Sequence, residues 1–205
     1  MTAPIYTNEQ LLRLREAVSQ RMSKKRFLHT EGVLRAAVRL GELLLPDECS
    51  ALSAAALLHD VAKELDDNTL LALASLTQQN AENLPRAVLH SFAAVAVIER
   101  DFPEFDNAII KNAVKNHTLG SPDMSIFDRI IFVADFIEQG RVYLPSCELR
   151  EKLFRELELA RNNDERIRAL NAAVVFEIEA TESHLLASGR EIAEVSRLTK
   201  NAFSV

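Results

Sequence analysis

The sequence predicts an all-α fold, and three features of its 205 residues support that prediction. Glycine and proline are few, at five and six residues, and alternating runs of β-branched residues are absent. Apolar residues instead recur at the three- and four-residue spacing of one helix face. A content of 48% hydrophobic and 26% charged residues is typical of a globular protein with one continuous core. We therefore expect a single domain over residues 1–205.

Capping residues and prolines set the order of the predicted helices. Thr7 opens a capping box, and Ser125 begins another helix after a loop of turn-forming residues. Pro85 suits the first turn of a helix, whereas the segment DFPEF ends one. These signals predict about eight to ten helices, which cover residues 7–22, 24–45, 46–64, a short stretch from 68, 85–100, 107–117, 125–140 and, as two or three helices, 148–203.

Charge and composition exclude several classes of protein. A net charge of −6 argues against binding to duplex nucleic acid, which normally requires a basic surface. No apolar stretch approaches the roughly 18 to 20 residues that cross a bilayer, so we expect no membrane span. The first ten residues lack a basic region followed by an apolar one, and the two cysteines form no CxxC motif. We therefore expect a cytoplasmic location.

Polar side chains interrupt the apolar faces of several predicted helices. His29, for example, precedes Val33 and Leu40 at helical spacing, and Asp135 interrupts the apolar run IIFVADFI. Asp60 directly follows a histidine in the segment ALLHDVAKEL. The histidines on such faces are His29, His59, His90 and His117.

Each of these polar residues has an ordinary structural explanation when it is taken alone. A core histidine is commonly a hydrogen-bonded structural residue, and Asp135 could pair with Arg141 or Lys63. Taken together, however, four imidazoles and two carboxylates need partners, because an unpaired buried polar group costs about 1 to 3 kcal/mol. Coordination of metal ions would satisfy all six groups at once.

The order of these residues is similar to that of a known family. His29, the pair His59-Asp60 and Asp135 resemble the H…HD…D ligand set of the HD-domain phosphohydrolases, an all-helical family, and this set implies one metal ion. The additional His90 and His117 resemble the dinuclear branch of the family. In that branch two further histidines hold the second metal, and the resemblance implies that Asp60 bridges the two ions.

Longer segments resemble the bacterial YqeK family within the HD-domain phosphohydrolases, over about residues 10–203. The segments are KRFLHTEGV, LLHDVAK, LHS, NHTLGSPDMSIFDRIIFVADFIEQGR and a terminal stretch that includes Asn201. The resemblance implies an HD-domain helical bundle with a metal-binding core over about 24–141 and C-terminal helices over 148–203. It also implies hydrolysis of diadenosine tetraphosphate to two ADP at a dinuclear centre.

The expected chemistry follows from the ligand types. Two metal ions can activate a shared water at neutral pH and bind the oxygens of the scissile phosphoryl group. A histidine-rich set with open positions suits iron, manganese or cobalt better than a closed zinc site, and the resemblance favours iron. We expect catalytic roles for Asp60, as the bridging ligand, and for Lys63.

A tetraphosphate needs local cations in an acidic protein. Lys63 lies one turn after the His59-Asp60 pair, although a solvated lysine near a helix C-terminus is the alternative explanation. Arg26, Thr118 and Arg141 are further candidates for substrate contacts, and Arg141 could instead pair with Glu138. His184 lies outside every matching segment and is expected to be structural or exposed.

Other functions remain open at this point. The same ligands would serve another HD-class nucleotide phosphohydrolase or a di-iron oxygenase that activates O₂. A binding module with a vestigial site is a third class, which the complete set of six ligand types argues against. The late helices could cover the site or form a homodimer surface.

Overall fold

The computed structural model describes residues 3–204, and within that range the chain folds into ten α-helices without a β-strand. The helices are α1 (Asn8–Ser19), α2 (Lys24–Leu44), α3 (Cys49–Leu58), α4 (Asp67–Thr77), α5 (Arg86–Asp101), α6 (Ala108–Asn116), α7 (Ile126–Ile137), α8 (Leu144–Leu159), α9 (Asn163–Ala187) and α10 (Glu194–Phe203). The predicted all-α fold with about eight to ten helices is therefore confirmed. The domain bounds 1–205 stay a prediction, since residues 1, 2 and 205 lie outside the described part.

Five helices pack around one continuous core. Helix α2 packs against α3 and α7, and α6 contacts α3, α5 and α7. Large apolar side chains such as Leu52, Ile110 and Ile130 fill the space between them with 0% exposure. The long helix α9 packs against α7, α8 and α10, so the C-terminal helices extend the same bundle. Among the described residues, no helix is both long and apolar enough for a bilayer span.

The third helix ends earlier than its apolar pattern predicts. It ends at Leu58 and not near Glu64, and beyond it backbone N–H groups bond to carbonyls three residues back. The Nδ1 atom of His59 lies 2.7 Å from the carbonyl oxygen of Ala56. In a continued α-helix that carbonyl would accept from the N–H of Asp60. The imidazole therefore takes the place of a helical hydrogen bond, and the chain leaves the helix at the histidine-aspartate pair.

Other helix ends differ from the predictions by three or four residues. Helix α8 begins at Leu144, because Pro145 is suited to the first helical turn, where no intrahelical N–H bond is lost. Helix α7 follows Ser125 as expected, and the Ser125 hydroxyl accepts a hydrogen bond from the backbone N–H of Asp128. Helix α3 begins at Cys49, where residue 46 was expected, because Pro46–Glu48 forms a separate 3-10 turn. Helix α1 ends at Ser19, where residue 22 was expected, and α7 ends at Ile137, where residue 140 was expected.

We predict that Ser125→Ala destabilises the protein by about 0.5 to 2 kcal/mol, because the capping box at the start of α7 loses its hydroxyl acceptor. Urea denaturation followed by circular dichroism would measure the change. Ser75→Ala is the matched control, since the Ser75 hydroxyl bonds only to the carbonyl of Leu71 within its own helix. Equal midpoints for the two variants would contradict the prediction.

Candidate metal centre

The six residues predicted as metal ligands lie together inside the bundle. Helix α2 carries the first histidine, the turn after α3 carries the histidine-aspartate pair, and α5, the end of α6 and α7 carry the others. The ring centroids of His59 and His117 are 5.0 Å apart, as are those of His90 and His117. The most deeply buried members, with 0 to 3% exposure, are His59, His90, His117 and Asp60.

The Asp60 carboxylate lies between two pairs of imidazoles. Its Oδ2 atom is 3.6 Å from the Nε2 atom of His29 and 3.5 Å from that of His59. Its Oδ1 atom is 3.3 Å from the Nε2 atom of His90 and 3.7 Å from that of His117. One carboxylate thus directs a different oxygen toward each pair of nitrogens, which is the arrangement that a bridging ligand requires.

Backbone carbonyls fix the tautomers of two histidines. The Nδ1–H group of His59 donates to the carbonyl of Ala56 over 2.7 Å, and that of His117 donates to the carbonyl of Val114 over 2.6 Å. A carbonyl oxygen only accepts, so Nδ1 must carry the proton in both rings. The Nε2 lone pairs are then free to coordinate a cation, and the hydrogen bonds hold the rings in place.

Glu138 orients the third imidazole, and sequence reasoning did not identify that role. Its Oε1 atom lies 3.2 Å from Nδ1 of His29, and its Oε2 atom accepts from the backbone N–H of Gly140. The Glu138 side chain is only 4% exposed. Its distance of 109 residues from His29 along the chain leaves no local sequence signal for this contact. The guanidinium of Arg141, which was considered a possible partner of the Glu138 carboxylate, bonds to Asp135.

The donor atoms fit metal ions. Nε2 of His29, Nε2 of His59 and Oδ1 of Asp60 are buried and have no hydrogen-bond partner among the described residues. Ligand atoms about 2 Å from a common ion lie roughly 3 Å apart, and Nε2 of His29 is 3.0 Å from Oδ1 of Asp135. Two groups could hold an ion by their mutual spacing, namely His29 with His59 and Asp135, and His59 with Asp60 and His117.

His90 belongs to neither of those two groups, yet its Nε2 atom is 3.1 Å from Nε2 of His117 and 3.3 Å from Oδ1 of Asp60. A carboxylate can coordinate through both oxygens, and Asp60 directs Oδ1 toward His90 and His117 while Oδ2 faces His29 and His59. His90 therefore lies with His117 beside the same oxygen of Asp60.

The electrostatics of the site favour the protonation states of metal ligands at Asp60, Asp135 and His90, whereas the burial of His59 would lower its pKa but nearby Asp60 raises it. Burial alone would raise the pKa of Asp60, but His59, His117 and His90 hold it well below its usual value. Burial would likewise raise the pKa of Asp135, which Arg141 and the nearby histidines keep well below the usual range. Burial, together with His117 and Lys63, lowers the pKa of His90. Anionic carboxylates and a neutral imidazole are the forms that bind metal.

Lys63 and Thr118 lie on the His90 side of the site. The Lys63 ammonium is 3.0 Å from Nε2 and 3.2 Å from Nδ1 of His90, and burial lowers its pKa. The Thr118 hydroxyl is 3.1 Å from the Nε2 atoms of both His90 and His117. The alternative explanation of Lys63 was a solvated lysine near a helix C-terminus. Its contact with His90 shows that the side chain is not merely solvated.

The two candidate arginines contact the two carboxylates. Nη1 of Arg26 is 2.8 Å from Oδ2 of Asp60. Nη2 of Arg141 is 2.6 Å from Oδ1 of Asp135, and its Nε–H donates to the backbone carbonyl of the same residue over 2.7 Å. The alternative pairing of Arg141 with Glu138 is therefore wrong, and its pairing with Asp135 is correct.

Two cavities reach this site. One of about 350 Å³ is lined by residues that include Lys63, Thr118 and Glu177. The other, of about 500 Å³, is lined by residues that include Arg26, and Arg141 lines both. Both volumes lie in the range of about 300 to 1,000 Å³ that is usual for small-molecule sites. Glu177, from α9, was not identified from the sequence, and burial and the charge of Asp135 raise its pKa well above the usual value.

Comparison with known proteins agrees with this geometry. The model of the HD domain family matches residues 26–139. The symmetrical bis(5'-nucleosyl)-tetraphosphatase of Halalkalibacterium halodurans is 32% identical over 130 residues, which cover 62% of this chain and 68% of that protein. The chain belongs to the HD-domain family of symmetrical bis(5'-nucleosyl)-tetraphosphatases. The predicted membership of an HD-domain phosphohydrolase family is thus confirmed.

A second relative supports this assignment, and one crystal structure shows the shared fold. The symmetrical bis(5'-nucleosyl)-tetraphosphatase of Bacillus subtilis is 27% identical over 161 residues, which cover 78% of this chain and 83% of that protein. A crystal structure of a predicted HD superfamily hydrolase involved in NAD metabolism from Clostridium acetobutylicum aligns with a TM-score of 0.78 at 22% identity, and the match covers 98% of each chain. The latter shows that the fold is shared along nearly the whole length.

We predict that Gly32→Ala lowers metal affinity by about 10- to 100-fold, although residue 32 is not itself a ligand. A Cβ atom at this position would collide with Oε2 of Glu138 and lie 3.1 Å from its carboxyl carbon. The carboxylate would have to move away from His29. Titration of the metal-free protein with Mn²⁺ would measure the effect, with Arg35→Ala as an exposed control on the same helix. Unchanged affinity would show that Glu138 does not orient His29.

Proposed function

We propose that this protein hydrolyses diadenosine tetraphosphate symmetrically to two ADP at a dinuclear metal centre. The observation that carries the proposal is the position of Asp60, whose two oxygens face separate pairs of imidazole nitrogens. Membership of a family whose relatives are named symmetrical bis(5'-nucleosyl)-tetraphosphatases supports the substrate class and the central cleavage.

In this proposal the six residues divide into two sets that share one carboxylate. The first metal would be held by His29, His59, Asp60 and Asp135, and the second by His90, His117 and the other oxygen of Asp60. When bound, the two ions would supply Lewis-acid activation of water and of the scissile phosphoryl group. Iron is our proposed metal, and manganese or cobalt would suit the same nitrogen and oxygen donors.

The remaining polar residues bind and orient the phosphate chain. Lys63 places its ammonium beside His90, where it can donate to a phosphoryl oxygen and stabilise the charge that develops during cleavage. Thr118 offers a hydroxyl at the same position. Arg26 and Arg141 already contact the two carboxylates, and their remaining N–H groups can donate to phosphates on either side of the centre.

The pair of cavities favours a substrate with two nucleoside halves over the alternatives. A nucleoside monophosphate or a small substrate of an oxygenase would need only one cavity. Arg141 lines both cavities, so a substrate with two halves could occupy both and contact this arginine between them. A vestigial binding module would not need the tautomers that present Nε2 lone pairs to the interior. A cytoplasmic location and a homodimer stay predictions from the sequence.

We predict two bound metal ions per chain, of which Asp60→Ala loses both and His90→Ala mainly the second. Asp60 contributes an oxygen to each set, whereas His90 contributes only to one. Elemental analysis of the purified variants would measure the loss, with circular dichroism to confirm that each is folded. Asp67→Ala is the control, because that side chain is 74% exposed. Full loss of both ions in every ligand variant would contradict the division into two sets.

We predict that diadenosine tetraphosphate is converted to ADP alone, and that in H₂¹⁸O one ¹⁸O atom enters one of the two ADP molecules. Direct attack by water requires this labelling, and no covalent enzyme intermediate should form. Mass spectrometry of products and protein would test both points, with chelator-treated protein as the control. AMP and ATP as products would contradict central cleavage, and a phosphorylated or nucleotidylated protein would contradict direct attack by water.

A further inference from the structure

Glu177 is a buried acid for which the proposed chemistry has no use. It lies on α9, beyond the residues 26–139 that match the HD domain, and only 7% of the residue is exposed. Its Oε2 atom is buried and has no hydrogen-bond partner among the described residues. The side chain nevertheless lines the 350 Å³ cavity beside the candidate metal ligands. A buried acceptor without a hydrogen-bond partner is destabilising, and a donor group on a bound ligand would satisfy it.

Aromatic rings border the same cavity. The Tyr143 ring lies 6.1 Å from that of Phe136 at an angle of 88°, and 6.3 Å from that of His184 at 68°. The Tyr143 hydroxyl bonds the carbonyl of Ala180 on α9 over 3.4 Å, which links the ring to the helix that carries Glu177. Tyr143 is nonetheless 41% exposed, so part of its ring remains available. Any nucleobase can stack on such rings, because every base has a π-face.

The cavity therefore combines two chemically different parts. Lys63 and Arg141 supply positive charge next to the candidate ligands, as a phosphate chain requires. Glu177, Tyr143 and His184 supply a carboxyl group and aromatic rings, which a phosphate does not require. Phosphates of a polyphosphate chain carry few donors at neutral pH, whereas ribose hydroxyls and the amino group of adenine are donors.

We propose that Glu177 accepts a hydrogen bond from the nucleoside of one substrate half, while Tyr143 and His184 enclose its base. These residues then determine which nucleoside the 350 Å³ cavity binds. The inference rests on the proposed function for the identity of the ligand as a nucleotide. The donor is either a ribose hydroxyl or the exocyclic amino group, and the two sources can be separated by experiment.

Calorimetric titration of the metal-loaded protein with ADP and with inorganic pyrophosphate tests this subsite. Glu177→Leu removes the acceptor but keeps an apolar side chain of similar length, and we expect ADP binding to weaken about tenfold or more, as for loss of one buried hydrogen bond. Glu177→Gln keeps one acceptor oxygen and should restore much of the affinity. Pyrophosphate should bind all three proteins within about twofold, because it does not reach residue 177.

Two further variants make the test independent of folding at the buried position. Tyr143→Ala should weaken ADP but not pyrophosphate, whereas Val142→Ala, at a neighbouring residue with 93% exposure, should change neither. With 2'- or 3'-deoxy-ADP a reduced penalty in Glu177→Leu would identify a ribose hydroxyl as the donor. With inosine diphosphate a reduced penalty would identify the amino group.

The proposal is overturned if Glu177→Leu binds ADP as tightly as the wild-type protein, or if it weakens ADP and pyrophosphate equally. Failure of the proposed function has a different signature. If the protein binds ADP through Glu177 but leaves diadenosine tetraphosphate intact, the subsite is supported and the proposed hydrolysis is contradicted. If the protein forms ADP from that substrate but Glu177→Leu binds ADP with unchanged affinity, the hydrolysis is supported and the subsite is contradicted.

Discussion

The Asp60 carboxylate is 3% exposed and has an imidazole pair on each side, and its burial constrains much of the surrounding fold. An ionised carboxylate in the interior is strongly destabilising unless cations and hydrogen-bond donors surround it. The chain supplies them from several directions, with Arg26 and His29 from α2 and further histidines from α5 and the end of α6. Helix α3 ends at Leu58, directly before the His59-Asp60 pair, so the carboxylate lies in the turn that follows the helix. The packing of α2, α3, α5 and α6 therefore sets the surroundings of this one side chain.

Helix ends supply the second requirement, which is control of the imidazole tautomers. The last carbonyls of a helix have no intrahelical partner, so they can accept from side chains. His59 and His117 each follow or end a helix, and each donates from Nδ1 to a carbonyl three residues earlier. The same local arrangement thus occurs twice, on α3 and on α6. It satisfies a backbone carbonyl and directs an Nε2 lone pair toward the centre at the same time.

The sequence predicted those parts of the molecule that depend on local pattern. Helical spacing of apolar residues predicted the fold class, and histidines on apolar faces predicted which side chains would meet. The early end of α3 was not predicted, because competition between an imidazole and a backbone N–H for one carbonyl leaves the apolar period unchanged. Glu138 was missed in its role because its partner is 109 residues away. Glu177 was missed because its burial results from the packing of α9 against α7, which no residue of α9 reveals alone.

An acidic chain can still hold a polyanion, because local charge outweighs net charge at short range. The net charge of −6 is spread over the whole surface, where salt screens it beyond about 8 to 10 Å. Lys63 and Arg141 line the cavity of about 350 Å³, and Arg26 and Arg141 line that of about 500 Å³, so each cavity has cations within contact distance of a ligand. The carboxylates of Asp60 and Asp135 contact Arg26 and Arg141, and that of Glu138 contacts His29, so their charge is largely offset. Glu177, which lines the smaller cavity together with the ring of Tyr143, forms no ion pair within 4.0 Å among the described residues, and burial raises its pKa well above the usual value. A phosphate chain in this cavity would therefore meet favourable charge from Lys63 and Arg141, whereas the aromatic rings of the same lining suit an uncharged nucleoside.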